Sequence, residues 1–340
     1  MLLILVDAMG GDNAPEAVVN GCIEAISELD GFEVQLIGDS DRIRQIIGRR
    51  QFDNSRMKII HAGEVITNDD SPSRAIKSKK DSSMVVGFKL LKEKKGNVFL
   101  SAGNTGALMA GALLLLGRIE GVDRPALPTF LPTKNGGTLL IDSGINTVCK
   151  PVNYLQFGIM GSIYMKEVHK VVSPKVGLIN NGTEEKKGTD VIKQAYPMLA
   201  NSNVNFVGNV EARQLLIGDI NVAVCDGFVG NVVLKLLEGS VTFFLGILKE
   251  SFTKNIMTKL AALVVKGHLK KQMKSFDYEE IGGTPILGVD GIVFKSHGSS
   301  NAKAVKNAIL TAHRFTKTTV VQQIRDEFKN MEVEDIEQSE

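Results

Sequence analysis

The sequence predicts an α/β protein built on a largely parallel sheet with helices on both faces. Short β-branched or aliphatic runs alternate with helical patterns along almost all of its 340 residues. No Gly/Ser-rich linker and no fixed-period repeat interrupts that alternation, so any subdomains are expected to share one continuous sheet. A chain of this length buries a large core, and 43% hydrophobic with 23% charged residues is ordinary for a globular protein. Sheets of this kind take ligands at the carboxyl ends of their strands.

Strands are expected over 2–6, 33–37, 58–61, 97–101, 138–141, 175–179, 205–207, 222–225 and 291–295, with helices between most of them. In the opening "LLILVDAMGGDNAPEAVVN", a buried strand ends at Asp7 and a Gly-Gly turn leads into a helix. Asn13 with Glu16 three residues on fits a capping box, and Pro15 stands in the first turn, where its missing N–H does no harm. Asp12 suits a helix N-terminus. Two acids would repel a dianion, so Asp7 and Asp12 are expected to orient donors such as Asn104 or His297 rather than to hold phosphate. Residues 240–275 read as a helical insertion without strands. The last segment, 326–340, reads as an acidic, solvated tail beyond a single α/β unit over 1–325.

Three later turns repeat the sequence of strand, small polar loop and helix. In "VFLSAGNTGALMAGALLLL", Ser101, Gly103, Asn104, Thr105 and Gly106 separate a strand from an apolar helix. Glycines let a backbone approach a ligand, and the N–H groups of a helix start hold anions. An N-capped loop without a ligand accounts for the same residues. "NVAVCDGFVGNVVLKLLEG" sets Asp226 past a strand and Asn231 near a helix start. "GIVFKSHGSSNAKAVKNAI" gathers His297, Ser299, Ser300 and Asn301 ahead of a helix, company that none of the other four histidines keeps. Elsewhere Asn180 and Thr183 follow a strand, with Thr183 and two glutamates making a good helix start. Gly282 and Gly283 stand in a Gly-Gly-Thr-Pro turn.

Composition narrows the classes. A net charge of +2, no tryptophan and four tyrosines argue against a nucleic-acid surface. Three cysteines, far apart and without a CxxC pair, exclude a disulfide scaffold on spacing and suit a reducing cytosol. "MLLILV" is too short for a signal peptide, and the longest uncharged, mostly apolar run, 101–117, falls short of the roughly 20 residues of a membrane span. A cytoplasmic protein is expected. No GxxxxGK[ST], GxGxxG, HExxH or GxSxG pattern occurs, so no cofactor, metal or covalent nucleophile is expected.

Seven segments, "VDAMGGDNAP", "SAGNTGALMAGA", "RPALPTFLPT", "NNGTEEKKG", "CDGFVGNVVLK", "GGTPILGVDG" and "HGSSNAKAV", together resemble the bacterial phosphate acyltransferases of phospholipid synthesis, the PlsX family. The resemblance runs from residue 3 to about 312 with the motifs in order. It implies a three-layer α/β/α fold of two intertwined subdomains, like that of isocitrate and isopropylmalate dehydrogenases and phosphotransacetylases. It implies conversion of fatty acyl-(acyl carrier protein) and inorganic phosphate to acyl phosphate and free carrier protein, by a homodimer. It also implies that the product passes to a membrane-bound glycerol-3-phosphate acyltransferase. One departure stands out: the family's Asp-Leu-Gly-Ala-Asn is here "DSGIN" at 142–146.

The residues suit that chemistry. Phosphate near neutral pH is partly dianionic, and a thiolate, whose parent thiol has a pKa of about 8.5, leaves without strong acid help. The site therefore needs an anion pocket, donors for the oxyanion and alignment. Phosphate is expected at the 101–106 loop and at the helix start after Ser299, with His297 donating to it or shuttling a proton. Asn231, Asp226 and Asn180 are further candidates. Between Ser251 and Phe276 lie six lysines and no acid; Leu260, Leu263 and Val264 fall near one helical face beside Lys259, Lys266, Lys270 and Lys271. Such a helix reads as a contact for an acidic carrier or a membrane surface, or as a packed helix with snorkelling lysines. An acyl-CoA-dependent phosphotransacetylase, a decarboxylating dehydrogenase and a non-catalytic membrane-surface scaffold remain as alternatives.

Overall fold

The computed structural model describes residues 1–50, 52–133, 136–273 and 278–337, except for the side chains at 266, 268–273, 278 and 332–337. The chain runs β1 (Leu2–Asp7), α1 (Glu16–Glu28), β2 (Phe32–Gly38), α2 (Ser40–Ile47), β3 (Met57–His61), α3 (Pro72–Ser78), α4 (Ser83–Lys92), β4 (Val98–Ser101) and α5 (Thr105–Gly111), continued by a π-helical turn. Next come β5 (Thr129–Thr133), β6 (Gly136–Ile141), α6 (Pro151–His169), β7 (Lys175–Ile179), α7 (Asp190–Ala200), β8 (Asn205–Val210) and β9 (Val222–Val224). The long helices α8 (Gly227–Thr253) and α9 (Ile256–Met273) precede α10 (Tyr278–Ile281), β10 (Gly283–Pro285), β11 (Val293–Ser296), α11 (Ala302–Phe315) and α12 (Val320–Glu337).

Instead of one shared sheet, the described strands form two. The first has the order β10-β11-β4-β1-β2-β3 and the second β5-β6-β9-β7-β8. Within each, only the edge strand β10 or β5 is antiparallel. These two strands are also the ones the sequence pattern misses. Pro132 lies within β5 and Pro285 ends β10, and proline, lacking an N–H, is confined to sheet edges. The edges meet: Ala126 and Leu287 exchange backbone hydrogen bonds of 2.9 and 3.0 Å, and Thr284 Oγ1 donates to the Pro128 carbonyl at 2.7 Å.

Both faces of the first sheet are covered. Ile4 and Val6 pack with α1 and α11, while Leu5 between them packs with Phe88 of α4 and Leu108 of α5. A strand buried on both sides has no polar face to show, which explains the unbroken "LLILV". In the second sheet, residues 153–165 of α6 are buried throughout against one face. Val229, Val233, Leu234 and Leu237 of α8 cover the other, over Leu140, Ile179 and Ala223. The result is a three-layer α/β/α arrangement in which α6 packs into the core shared by both sheets.

Two further expectations change. The start of the acidic segment is not solvated: in α12, Phe328 is 1% exposed and Met331 packs on the core, while the side chains of 332–337 and residues 338–340 lie outside the described residues. Apolar residues at helical spacing within an acidic segment carry that signal. Beyond Leu237, α8 leaves the core, and its most apolar 18 residues have mean hydropathy 1.6 with none buried. By length and composition this helix could cross a membrane, although Lys235, Glu238, Lys249 and Glu250 break the run in sequence. Replacing Phe328→Ala should lower stability by about 3–5 kcal/mol, as for a buried aromatic. An unchanged thermal midpoint would restore the solvated tail.

Candidate active site

Three of the four small-residue loops emerge side by side, because β11, β4 and β1 are adjacent parallel strands. At the end of β1, Asp7 is buried; its carboxylate accepts from Ser101 Oγ at 2.7 Å and from the Met9 N–H at 3.1 Å. Ser101 Oγ in turn accepts the Gly103 N–H at 3.0 Å. Burial raises the Asp7 pKa, and these hydrogen bonds partly offset the rise. Asp7 thus orients Ser101, not the expected Asn104 or His297. Gly10 fits between them only as glycine, since a Cβ there would lie 2.5 Å from the Asp7 carboxylate and 2.8 Å from the Gly103 nitrogen.

The first and last loops are tied together. The Asp12 N–H donates to the Gly298 carbonyl at 2.8 Å, and Asn13 Nδ2 donates to the carbonyls of Ser299 and Ser300 at 3.0 and 3.3 Å. The expected capping box is therefore absent: Pro15 occupies the N-cap position of α1 and Asn13 reaches across to the neighbouring loop. In that loop His297 Nδ1 lies 2.8 Å from Ser299 Oγ and accepts the Ser299 N–H at 3.2 Å. Burial, Lys295 and Lys235 hold its pKa below the usual 6.5, so the ring is neutral at pH 7. With Nδ1 accepting, the hydrogen bonds assign the proton to Nε2, which makes that nitrogen a donor.

Several candidates have structural occupations. Asn104 caps α5, accepting the Ala107 N–H at 2.9 Å while donating to the Thr67 carbonyl at 3.2 Å; Thr105 and Gly106 form the first turn behind it. Asn301 caps α11 and donates to Glu279 at 2.8 Å. Ser300 is buried, 2.9 Å from Ser296 Oγ, which donates to the Gly282 carbonyl at 2.6 Å. Gly282, at φ +74°, approaches the α11 backbone, and Gly283 opens β10; both support the loop from behind.

The second sheet contributes α8. Asp226, expected to be catalytic, caps this helix by accepting the Val229 N–H at 2.8 Å and takes the Tyr154 hydroxyl at 3.0 Å. Asn231 is exposed one turn further on, beside Gly144. Lys235 and Glu238 form a 2.7 Å ion pair on α8 within electrostatic reach of His297. The helix is anchored through Asp142, which is fully buried and accepts from the backbone N–H groups of Leu127, Gly144, Ile145 and Asn146, and from Asn146 Nδ2. Gly230 packs directly on the Asp142 carbonyl. Asn180 lies apart at the end of β7, where its side chain donates to the Lys187 carbonyl at 3.0 Å. Thr183 starts no helix; Thr189 caps α7 instead.

The family described as "Fatty acid synthesis protein" matches residues 2–323. The phosphate acyltransferase of Acetivibrio thermocellus is 62% identical over 337 residues, covering 99% of each chain, and that of Thermoanaerobacter pseudethanolicus is 48% identical over 328 residues, covering 96% of this chain and 98% of its own. The chain belongs to the phosphate acyltransferase family. Among solved structures it is similar in fold to a phosphotransacetylase from Streptococcus pyogenes (TM-score 0.60, 17% identity, 93% and 94% of the two chains). It is likewise similar to a branched-chain phosphotransacylase from Enterococcus faecalis (TM-score 0.56, 14% identity, 92% and 98%).

In this phosphate acyltransferase family member, the sequence reading gave no role to Lys235 and Lys295 and took Asn13 for a helix cap, whereas the backbone role expected of Asp142 is what its hydrogen bonds show. Lys295 carried a signal, as a lone cation inside the apolar strand "VFKS". Asn13 carried none, because its partner lies 286 residues away. Ser101→Ala would leave the Gly103 N–H unaccepted and remove a donor from the buried Asp7. The expected loss is about 1–3 kcal/mol in denaturant unfolding; no loss would mean that Ser101 does not organise the loops.

Proposed function

We propose that the protein transfers a fatty acyl group from the thioester of acyl carrier protein to inorganic phosphate, supplying acyl phosphate for phospholipid synthesis. A phosphate oxygen attacks the thioester carbonyl, the C–O bond forms, the C–S bond breaks, and the carrier thiolate leaves and takes up a proton. The observation that carries this reading is the His297 loop, whose neutral imidazole bears its proton on Nε2 at the end of β11 next to the β4 loop. Such a donor stabilises an oxyanion or phosphate without a covalent enzyme intermediate. The relatives named phosphate acyltransferase support the same chemistry. Ser299, the backbone of the 101–106 loop and Asn231 assist in holding phosphate.

The protein works as a cytoplasmic homodimer whose α8–α9 pair touches the acidic carrier or the membrane that receives the product. Leu260, Leu263 and Val264 are 55%, 69% and 84% exposed, and Phe243 and Phe244 are exposed on α8. Lys259 lies beside them, while the side chains of Lys266, Lys270 and Lys271 fall outside the described residues. Exposed apolar residues with flanking lysines suit an anionic lipid surface.

With long-chain acyl carrier protein and phosphate, the purified protein should release carrier thiol and acyl phosphate only when phosphate is present. Turnover on acyl-CoA alone would instead assign a phosphotransacetylase. His297→Ala should lower kcat about 10²–10³-fold, the size of a lost oxyanion donor, while circular dichroism stays unchanged; full turnover would remove His297 from the chemistry. Leu263→Glu with Val264→Glu should abolish binding to anionic vesicles, and retained binding would put the contact elsewhere.

A further inference from the structure

Lys295 is the cation that the described reaction leaves unexplained. It lies on β11, in register with Thr284 of β10 on one side and Ser101 of β4 on the other, two residues before His297. Its Nζ turns onto the backbone carbonyl of Ser296. Among the described residues no carboxylate lies within 4.0 Å of that nitrogen. Nearby cations are better matched: Lys235 pairs with Glu238 at 2.7 Å, and Lys303 pairs with Glu279 and Glu280 at 3.4 and 2.8 Å. Asp12 acts on Lys295 only from beyond ion-pair range.

Lys295 is partly buried, and an ammonium even partly withdrawn from water without a counter-ion is costly, so proteins ordinarily pair it or neutralise it. Here the group sits where β11, β4 and β1 end together, beside the donors of His297 and Ser299. A carbonyl satisfies one of its three N–H bonds but none of its charge. The chemistry that completes it is a small dianion entering between the loops. We propose that Lys295 is the residue that binds the attacking phosphate, holding its charge while His297 Nε2 donates to the oxyanion. This rests on the acyl-to-phosphate reading, and its test separates the two.

The groups facing Lys295 are few. Thr284 and Ser101 flank it on the sheet, Asp12 stands on the β1 loop, Lys235 and Glu238 on α8, and His297 on its own loop; Lys303 of α11 is already paired. Burial brings its pKa down to about 8; Asp12 opposes that fall, and Lys235 adds a smaller push in the same direction as burial. The sign follows directly. Below that pH Lys295 is a cation and phosphate binds; above it the charge is lost and affinity falls.

Phosphate binding is measured by calorimetry with inorganic phosphate alone, and turnover by thiol release from acyl carrier protein. Lys295→Met should weaken phosphate binding and raise the phosphate KM by about tenfold to a hundredfold, the range of a charge-assisted contact, while leaving the KM for the acyl donor within about twofold. In the unaltered protein, phosphate affinity should fall from pH 7.5 to 9.5; in Lys295→Arg it should stay level, because guanidinium keeps its charge. Unchanged phosphate affinity in a folded Lys295→Met protein overturns the assignment. If that variant does not fold, a level affinity in the unaltered protein from pH 7.5 to 9.5 overturns it equally. Phosphate binding that depends on Lys295 in a protein with no thioester turnover supports Lys295 and overturns the acyl-transfer reading instead.

Discussion

The site depends on the parallel pairing of β11, β4 and β1. Register puts Lys295 beside Ser101 and Leu100 beside Val6, so three strands release their chains at one level. The hydrogen bond from Ser101 to Asp7 fixes that level across the β1–β4 pair. Everything near His297 inherits its position from these strands, because Asp12 and Asn13 hold its loop from the β1 side. A buried carboxylate that meets several donors is rigid by necessity, since any loosening leaves desolvated polar atoms without partners.

The second sheet solves a different problem. Its helix α8 must approach the His297 loop while remaining rooted in its own core. Asp142 serves as the root: five donors converge on it, and Gly230 lets the helix rest on its carbonyl. The departures Ser143 and Ile145 fit this function. Ser143 Oγ donates to the Leu127 carbonyl at 2.8 Å, and Ile145 uses its backbone N–H on Asp142, so neither side chain alters the hub. Two sheets tied at their edge strands thus bring ion-paired Lys235 and Glu238 of α8 within electrostatic reach of the histidine loop.

Much of the fold was legible because its central strands are buried on both faces and its loops are rich in Gly, Ser and Asn. The signals that failed did so for physical reasons. β5 and β10 contain proline, and local pattern cannot tell an edge strand from a turn. The α12 helix sets Phe328 and Met331 against the core within a segment whose sequence is mostly acidic. The candidate site was legible as loops but not as roles. Asn104, Asn301 and Asp226 are residue types that serve equally as caps and as ligand donors, and only their partners decide. In each case the partner is a backbone N–H three residues on, so capping wins.

What remains at the strand ends after those assignments is a question of charge. Asp7 is enclosed and hydrogen-bonded, Glu238 is paired, and Asp12 holds the loop through its backbone N–H while its carboxylate acts on Lys295 and His297 from beyond ion-pair range. His297 is held below its usual pKa by burial first and then by Lys295 and Lys235. A neutral imidazole beside an unpaired ammonium is a poor arrangement for storing a proton, and a good one for receiving a dianion: the cation supplies attraction and the imidazole supplies a directed N–H. Were the imidazole protonated instead, two adjacent positive charges would oppose each other until the anion arrived. Holding His297 below its usual pKa avoids that repulsion, and it keeps the donor on Nε2 whether or not the anion is bound.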